Sequence, residues 1–223
     1  MAEGHAAARS TLPADGAQAQ GAHLIRLESS TGYGTALIEV LKRIESEFRN
    51  YDKKALPIRM VIAGGAALFL HTGERVTEDV DATFSRRVLL NDIEVAYRDP
   101  DGRAAIIYLD RNYNDTLGLL HEDADDDAER VELNEIDRKV LDVRVLTPID
   151  LAVSKLGRFS DQDREDILLL AERGLIDAKN LRKRAGEALK AYVGNLESTQ
   201  NTIDIACRLL ENQASRRKPS GSR

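Results

Sequence analysis

The chain has 223 residues, a mass of 24.7 kDa and a formal net charge of −6, and 42% of its residues are apolar. This length accommodates one substantial domain with an appendage, and the acidic balance excludes nucleic-acid binding driven by bulk positive charge. The single cysteine, Cys207, excludes an intrachain disulfide framework and a cysteine-rich zinc site. No apolar run is long enough for a secretory signal or a membrane helix, so we expect a cytoplasmic protein without membrane association.

Composition and periodicity divide the chain into four segments. Residues 1–34 are rich in Ala, Gly, Gln and Ser, which predicts a flexible arm. Residues 35–147 mix helical and strand patterns, which predicts an α/β core of the α+β kind with a mixed sheet flanked by helices. Residues 148–213 carry only helical patterns and predict a C-terminal helical bundle, and residues 214–223 form a basic tail.

The core pattern opens with an amphipathic helix, in which Leu37, Leu41 and Ile44 recur at helical spacing. A short apolar helix is expected over residues 66–70, and Gly73 follows it where a C-cap belongs. The strand patterns of the core lie at 60–63, 79–84, 93–97, 104–109 and 140–145. The helical patterns after the core lie at 150–156, 163–173, 178–193 and 198–212.

One stretch, residues 59–85 with the sequence RMVIAGGAALFLHTGERVTEDVDATFS, carries the chemistry. Gly64 and Gly65 stand between a strand and a helix, where glycine allows a sharp turn and the helix amides favour phosphate. Asp79 and Asp81 alternate along a strand and therefore share a face, with Cβ atoms about 6 to 7 Å apart. Two carboxylates and triphosphate oxygens complete the shell of Mg²⁺, with Mn²⁺ as an alternative ion.

This stretch resembles the signature of the nucleotidyltransferase superfold, found in polymerase-beta-like enzymes, in which a glycine pair precedes an Asp-x-Asp. The spacing Arg75-x-Thr77-x-Asp79 is similar to that of the bacterial branch that contains the AbiEii and MenT toxins. A second block supports this branch, because residues 150–158 and 163–167 resemble its Lys-Leu motif and the acidic helix that follows. The two blocks together span about the middle half of the chain.

The resemblance implies a role for each matching residue. It assigns metal binding and catalysis to Asp79 and Asp81, triphosphate contacts to Gly64, Gly65, Arg75, Thr77 and Lys155, and catalytic roles to Lys155 and Asp166. Many relatives carry serine where this chain has Gly65, which leaves the contact to the backbone. The assignment of Asp163 is left open because the spelling of the second motif differs. Asp142 is the candidate for a third metal carboxylate because of its strand position.

The implied reaction moves a nucleotidyl group from a nucleoside triphosphate to an acceptor while pyrophosphate leaves. The resemblance to the toxin branch implies a tRNA or other RNA acceptor, a cognate antitoxin protein, and a toxin–antitoxin or phage-defence setting.

Other interpretations stay open. Gly65 and the unassigned third carboxylate also suit a non-catalytic module that binds nucleotide or a partner protein. Modification of a cationic small molecule of the aminoglycoside type is a third possibility, for which the acidic run 121–130, HEDADDDAER, would rim the pocket. That run is equally explained as a solvated loop. Without the resemblance, Lys155 is a helix-surface lysine, and Asp163 and Asp166 are acids favoured by a helix N-terminus.

Overall fold

The computed structural model describes residues 25–27, 31–113 and 118–217. Within these ranges the chain forms eight strands and seven α-helices. The strands are β1 (Ile25–Arg26), β2 (Ile58–Ile62), β3 (Asp79–Val80), β4 (Ala82–Phe84), β5 (Glu94–Arg98), β6 (Ala104–Leu109), β7 (Glu129–Glu132) and β8 (Leu141–Val145). The helices are α1 (Gly32–Phe48), α2 (Gly64–Thr72), α3 (Ala124–Asp127), α4 (Pro148–Ser154), α5 (Asp161–Glu172), α6 (Ala178–Ala188) and α7 (Leu196–Arg217).

The larger sheet has five strands in the order β1-β7-β8-β2-β4. Its centre is the parallel pair β2 and β8, with Ile62 opposite Val145, and β4 runs antiparallel along the other side of β2. The apolar residues of both central strands are buried, whereas Arg59 on β2 and Asp142 and Arg144 on β8 are only partly buried. Since the two strands are parallel, α2 and α4, which follow them directly, begin at the same edge of the sheet.

The smaller sheet has three strands in the order β3-β6-β5, with β3 parallel to β6 and β5 antiparallel to it. The chain passes from this sheet to the larger one at Asp81, which lies between β3 and β4. Helix α1 packs on β5 and β6 and buries Ile107 and Leu109, whereas Ile106 and Tyr108 alternate onto the other face and are exposed. This sheet therefore has one face in the core and one face in solvent.

One hydrophobic core connects the α/β part to the helices that follow it. Leu37 and Leu41 of α1, Leu68 of α2 and Leu181 of α6 belong to the same buried cluster, which also contains the Cys207 thiol. Helix α4 joins the two parts because it packs against α2, α5 and α6. The mixed α/β class and the helical C-terminal region predicted from the sequence are confirmed.

Three details differ from the sequence expectations. Residues 25–26 form β1, parallel to β7, and α1 begins at Gly32, so the segment 1–34 contributes ordered elements; residues 1–24 lie outside the described residues. The end of the acidic run forms the first part of β7. The sequence did not predict this strand, because Val131 is its only buried residue and no apolar alternation results. Helix α7 continues to Arg217, into the segment expected as a basic tail. Among the described helices, none combines the length and the apolar character that crossing a membrane requires.

Candidate active site

The junction between the two sheets brings Gly64 against Asp81. The Ala63 amide donates a hydrogen bond of 2.8 Å to the backbone oxygen of Asp81. Gly64 opens α2 with a φ of 57°, in the left-handed region, and a Cβ atom at this position would collide with Oδ2 of Asp81. Glycine is therefore required here for two reasons, the backbone conformation and the close approach of a carboxylate. The N-cap residue, Ala63, gives α2 no side-chain hydrogen bond.

Thr77 occupies the space beside Gly65. A Cβ atom on Gly65 would lie 2.8 Å from Cβ of Thr77 and 3.2 Å from its Oγ1. The Thr77 hydroxyl donates a hydrogen bond to Oδ1 of Asp79. A serine at position 65 would thus overlap with Thr77, and the threonine hydroxyl lies close to where the serine side chain would begin. The resemblance predicts that Gly65 leaves the site without a side-chain hydroxyl at this position, whereas the structure places the Thr77 hydroxyl beside it.

A third carboxylate, Asp110, lies close enough to Asp81 to influence its ionisation. Asp110 directly follows β6, and its amide donates a hydrogen bond of 3.1 Å to the Val80 oxygen, between Asp79 and Asp81. Sequence reasoning missed this residue, although an acid at the carboxyl end of a predicted strand was the available signal. The pairing of β3 with β6, which makes the two strand ends neighbours, was not readable from the pattern.

The structure does not bring Asp142 to this cluster. Asp142 pairs in register with Arg59, three residues before the carboxyl end of β2, which is about 10 Å along the strand. Its carboxylate accepts a hydrogen bond of 3.0 Å from Arg144 and lies 3.8 Å from Arg130. Asp142 therefore belongs to an ion-pair group at a different place in the sheet.

The electrostatics of the cluster centre on Asp81. Burial raises the pKa of Asp81 to about 6, and the carboxylates of Asp79 and Asp110 add to the rise, while Lys155 and Arg158 act to lower it. Two neighbouring carboxylates thus repel the ionised form of Asp81, and two cations attract it. A divalent cation bound among the carboxylates would relieve this repulsion.

Lys155, Arg75 and Asp166 form one buried ion-pair group. The Lys155 ammonium donates a hydrogen bond of 2.6 Å to Oδ2 of Asp166, and the Arg75 guanidinium donates to Oδ1 of the same carboxylate. Asp166 is 2% exposed and sits on α5, whereas Lys155 is the C-cap of α4. Arg75 has a φ of 59°, which is uncommon for a residue other than glycine. Asp166 therefore holds two cations, one of which influences Asp81.

Asp163 fixes the neighbouring Arg158. Two hydrogen bonds, of 2.9 and 2.8 Å, join the Arg158 guanidinium to the buried Asp163 carboxylate, which also accepts from the amide and hydroxyl of Ser160. Burial works to raise the pKa of Asp163, but the hydrogen bonds from Arg158 and Ser160 outweigh it and leave the pKa at about 2. Asp163 thus caps α5 and orients a cation that acts on Asp81.

Tyr33 lies close to the cluster from the core side. Its ring is 3% exposed and packs edge to face on Phe69 and Tyr97, with centroids 4.6 and 5.8 Å away. Its hydroxyl makes no well-formed hydrogen bond within the described residues, although the backbone of Thr77 is close enough to act on its pKa. Burial raises the pKa of Tyr33, and Asp79 and Asp81 raise it further, so the hydroxyl stays neutral. The sequence gave no reason to separate this tyrosine from the core face of α1.

The acidic run does not reach the cluster. Within it, Asp126 pairs with Arg59, and Asp127 pairs with Arg184 at 2.6 Å. The guanidinium of Arg184 also binds the buried carboxylate of Asp150. These pairs tie the run to the larger sheet and to α6, so its charges serve packing and do not rim the junction of the two sheets.

The donor set at the junction fits a hard cation. Within the described ranges, no group of three acidic, histidine or cysteine side chains is arranged to hold a metal ion. Mg²⁺ does not need one, because one or two carboxylates plus substrate phosphate oxygens complete its shell. Asp79 and Asp81 supply the carboxylates, and Lys155 and Arg158 supply positive charge for phosphate. This arrangement can bind a nucleoside triphosphate together with its metal.

Residues 39–213 match the sequence profile of a family described as nucleotidyltransferases of unknown function (DUF6036). No curated protein matches the chain significantly. A solved structure, that of an antigenic nucleotidyltransferase-like protein from Paracoccidioides brasiliensis, is similar at 17% identity over 86% of this chain and 90% of that one. Its TM-score of 0.35 is too low to carry an argument about the site. The family match alone carries the comparison.

Proposed function

Because the chain belongs to the DUF6036 family of nucleotidyltransferases, we propose that it transfers a nucleotidyl group from a nucleoside triphosphate to an acceptor hydroxyl, in a Mg²⁺-dependent reaction. One observation carries the proposal: Asp81 lies against Gly64 at the start of α2, where two further carboxylates and the cations Lys155 and Arg158 all act on it. Metal and triphosphate both find complementary charge at this single position.

Each residue has a distinct part in this reaction. Asp79 and Asp81 would hold the metal, which supplies positive charge to the developing oxyanions. The Thr77 hydroxyl orients Asp79, and Asp166 positions Lys155 toward the phosphates. The two glycines admit the triphosphate close to the start of α2, where helix amides favour phosphate. Arg75 is held by Asp166 at the same place and adds a further cation.

The test is a transfer assay on the full chain with Mg²⁺ and each of the four labelled nucleoside triphosphates, with pyrophosphate release as the readout. We expect Asp79→Asn, Lys155→Met and Asp110→Asn each to lower the rate by at least about a hundredfold, because each removes charge at the transition state. Asp142→Asn is the matched aspartate control and should retain activity. Retained activity in Asp79→Asn, or loss only in Asp142→Asn, would contradict the proposed site.

A binding module is the alternative outcome of this test. A nucleotide that binds in calorimetry, yet is never turned over with any acceptor, would favour the module. In that case Asp79→Asn should weaken the Mg²⁺-dependent part of binding and nothing else.

Two acceptor classes follow from different observations. The resemblance to the AbiEii and MenT branch favours tRNA or another RNA, with an antitoxin partner, and the family match does not extend to this branch. Growth arrest on expression, absent in Asp79→Asn, would support it. The solvent face of the smaller sheet favours a cationic small molecule instead, because it carries the carboxylate of Glu94 and the exposed ring of Tyr108.

A further inference from the structure

The solvent face of the smaller sheet continues directly from the candidate active site. The strand register places Asp79, Tyr108 and Glu94 opposite one another on β3, β6 and β5. Residues opposite one another in a sheet point to the same face. The next residues, Val80 and Leu109, are buried, so the row of Asp79, Tyr108 and Glu94 faces away from the core.

This row presents an aromatic ring and an aliphatic side chain to solvent. Tyr108 is 40% exposed, and Ile106, two residues earlier on the same face, is 48% exposed. Asp110 follows Tyr108 at the end of the same strand. A molecule lying on Tyr108 would therefore be next to Asp79, the register partner of Tyr108 on the neighbouring strand.

The charge of this face is negative. Glu94 and Glu78 are exposed, and neither side chain forms an ion pair within the described residues, although the Arg43 guanidinium donates a hydrogen bond of 2.8 Å to the backbone oxygen of Glu94. Partial burial raises the pKa of Tyr108, and the charges of Asp79, Asp110 and Glu78 raise it further. Arg98 lies four residues from Glu94 on the same face, about 13 Å along β5, and its guanidinium donates to the Gly102 oxygen.

The cations that act on Asp81 belong to the helical part of the chain. Lys155 and Arg158 lower the pKa of Asp81 and are held by Asp166 and Asp163. Tyr108 and Glu94 belong to the smaller sheet. The cations of the helical part suit a triphosphate, and the sheet face with Tyr108 and Glu94 suits a positively charged molecule.

We propose that Tyr108 and Glu94 form the acceptor subsite, and that the acceptor is a small molecule carrying both a hydroxyl group and protonated amines. This inference rests on the proposed nucleotidyl transfer. An ammonium group over the Tyr108 ring gains a cation–π interaction, and Glu94 pairs with a second amine. A polyanionic acceptor would meet Glu78 and Glu94 with like charge.

The transfer step balances with the groups at hand. The acceptor hydroxyl oxygen forms a bond to the α-phosphorus of the nucleotide, and the bond from that phosphorus to the bridging oxygen of the β-phosphate breaks. Pyrophosphate leaves with that electron pair. The hydroxyl proton passes to Asp110, the carboxylate at the end of the acceptor strand.

The test compares kanamycin with per-N-acetylated kanamycin, which keeps the hydroxyl groups and loses the charge of the amines. The full chain with Mg²⁺ and labelled nucleoside triphosphates is supplied with either compound, with streptomycin as a second cationic acceptor, and with total RNA. We expect label on an amine acceptor and none on the acetylated control. Label on RNA alone would overturn this inference and leave the nucleotidyl transfer standing. Nucleotide binding with no labelled acceptor would also overturn it, whereas loss of nucleotide binding itself would overturn the proposed function.

Variants locate the subsite. Glu94→Gln and Tyr108→Leu should each raise the KM for the amine acceptor about three- to fivefold, while the Kd for the nucleotide stays unchanged. Tyr108→Phe keeps the ring and should retain most of the affinity. Glu135→Gln removes an exposed glutamate elsewhere and is the matched control. Unchanged KM in both Glu94→Gln and Tyr108→Leu would overturn the assignment.

Discussion

In the protein without metal, ionisation of the Asp81 carboxyl group in the candidate site carries an electrostatic penalty. Its pKa is about 6 in the folded chain and 3.8 in the unfolded reference. Between these two values the folded chain holds a proton that the unfolded chain has lost. Folding stability therefore falls as pH rises through this window, and the full penalty is present above pH 6. A site built to bind a cation is destabilising when the cation is absent.

Asp81→Asn should therefore stabilise the metal-free protein. At pH 8 in the presence of a chelator we expect a gain of about 1–2 kcal/mol in unfolding free energy, after discounting for the partial exposure of the carboxyl group. The gain should shrink as pH falls from 6 toward 4. Urea denaturation across this pH range measures it. Equal stability of the two proteins at pH 8 would mean that the neighbouring carboxylates do not repel Asp81.

The two ends of α2 provide a matched pair of glycine substitutions. Gly64 and Gly73 both have positive φ, but only at Gly64 would a Cβ atom meet another group, Asp81. Gly73→Ala should cost about 1 kcal/mol from backbone strain and leave Mg²⁺ and nucleotide binding intact. Gly64→Ala should cost more and also displace the Asp81 carboxylate, so nucleotide binding should be lost. Calorimetry on both variants, with urea denaturation alongside, separates strain from displacement.

At the scale of secondary structure elements, Asp166 joins three pieces of chain. It lies on α5, and its two carboxylate oxygens bind Lys155 at the end of α4 and Arg75 in the loop after α2. The same loop continues to Thr77 and Asp79. The helical part of the chain thus positions the loop that carries part of the proposed metal site.

Removing the anion of this group should cost more than removing one cation. Asp166→Ala leaves Lys155 and Arg75 without their shared carboxylate, and we expect a loss of about 3 kcal/mol in unfolding free energy. Lys155→Met leaves Asp166 paired with Arg75 and should cost about 1–2 kcal/mol. Asp161→Ala, which breaks the exposed pair with Arg164 on the same helix, should cost less than 1 kcal/mol. Denaturant titration gives the order, and a larger loss in Lys155→Met than in Asp166→Ala would refute this account.

The elements that the sequence predicted well are those whose signal is local. Helix α1 is visible in the spacing of Leu37 and Leu41, and β2 with the glycine turn is visible as an apolar run that ends at Gly64. Asp110 was missed because its role depends on the parallel pairing of β3 with β6, which brings together strands about 25 residues apart. Asp142 was predicted as the third metal carboxylate because strand alternation shows which face a residue is on. Its position along the sheet depends on its pairing with Arg59, which the sequence pattern does not show.

At the scale of the whole molecule, the boundary near residue 147 separates two kinds of structure but not two cores. Leu151 and Leu156 of the helical part are fully buried in the cluster that contains Leu68 of α2 and Val145 of β8. The ion-pair group of Lys155, Arg75 and Asp166 joins residues from both sides of this boundary. A unit with a shared core and a shared ion-pair group is expected to unfold cooperatively.

The chain should therefore unfold in a single thermal transition, and ligands that bind the site should shift all of it. With Mg²⁺ and nucleotide at about 100 times the Kd, linkage adds about 2.7 kcal/mol, which corresponds to a rise of about 5–10 °C in Tm for a chain of this size. Differential scanning calorimetry measures both features. Asp79→Asn should keep the single transition and lose the shift. Two transitions, of which only one responds to nucleotide, would show that the helices after residue 147 fold independently and that Lys155 and Asp166 do not act on the site.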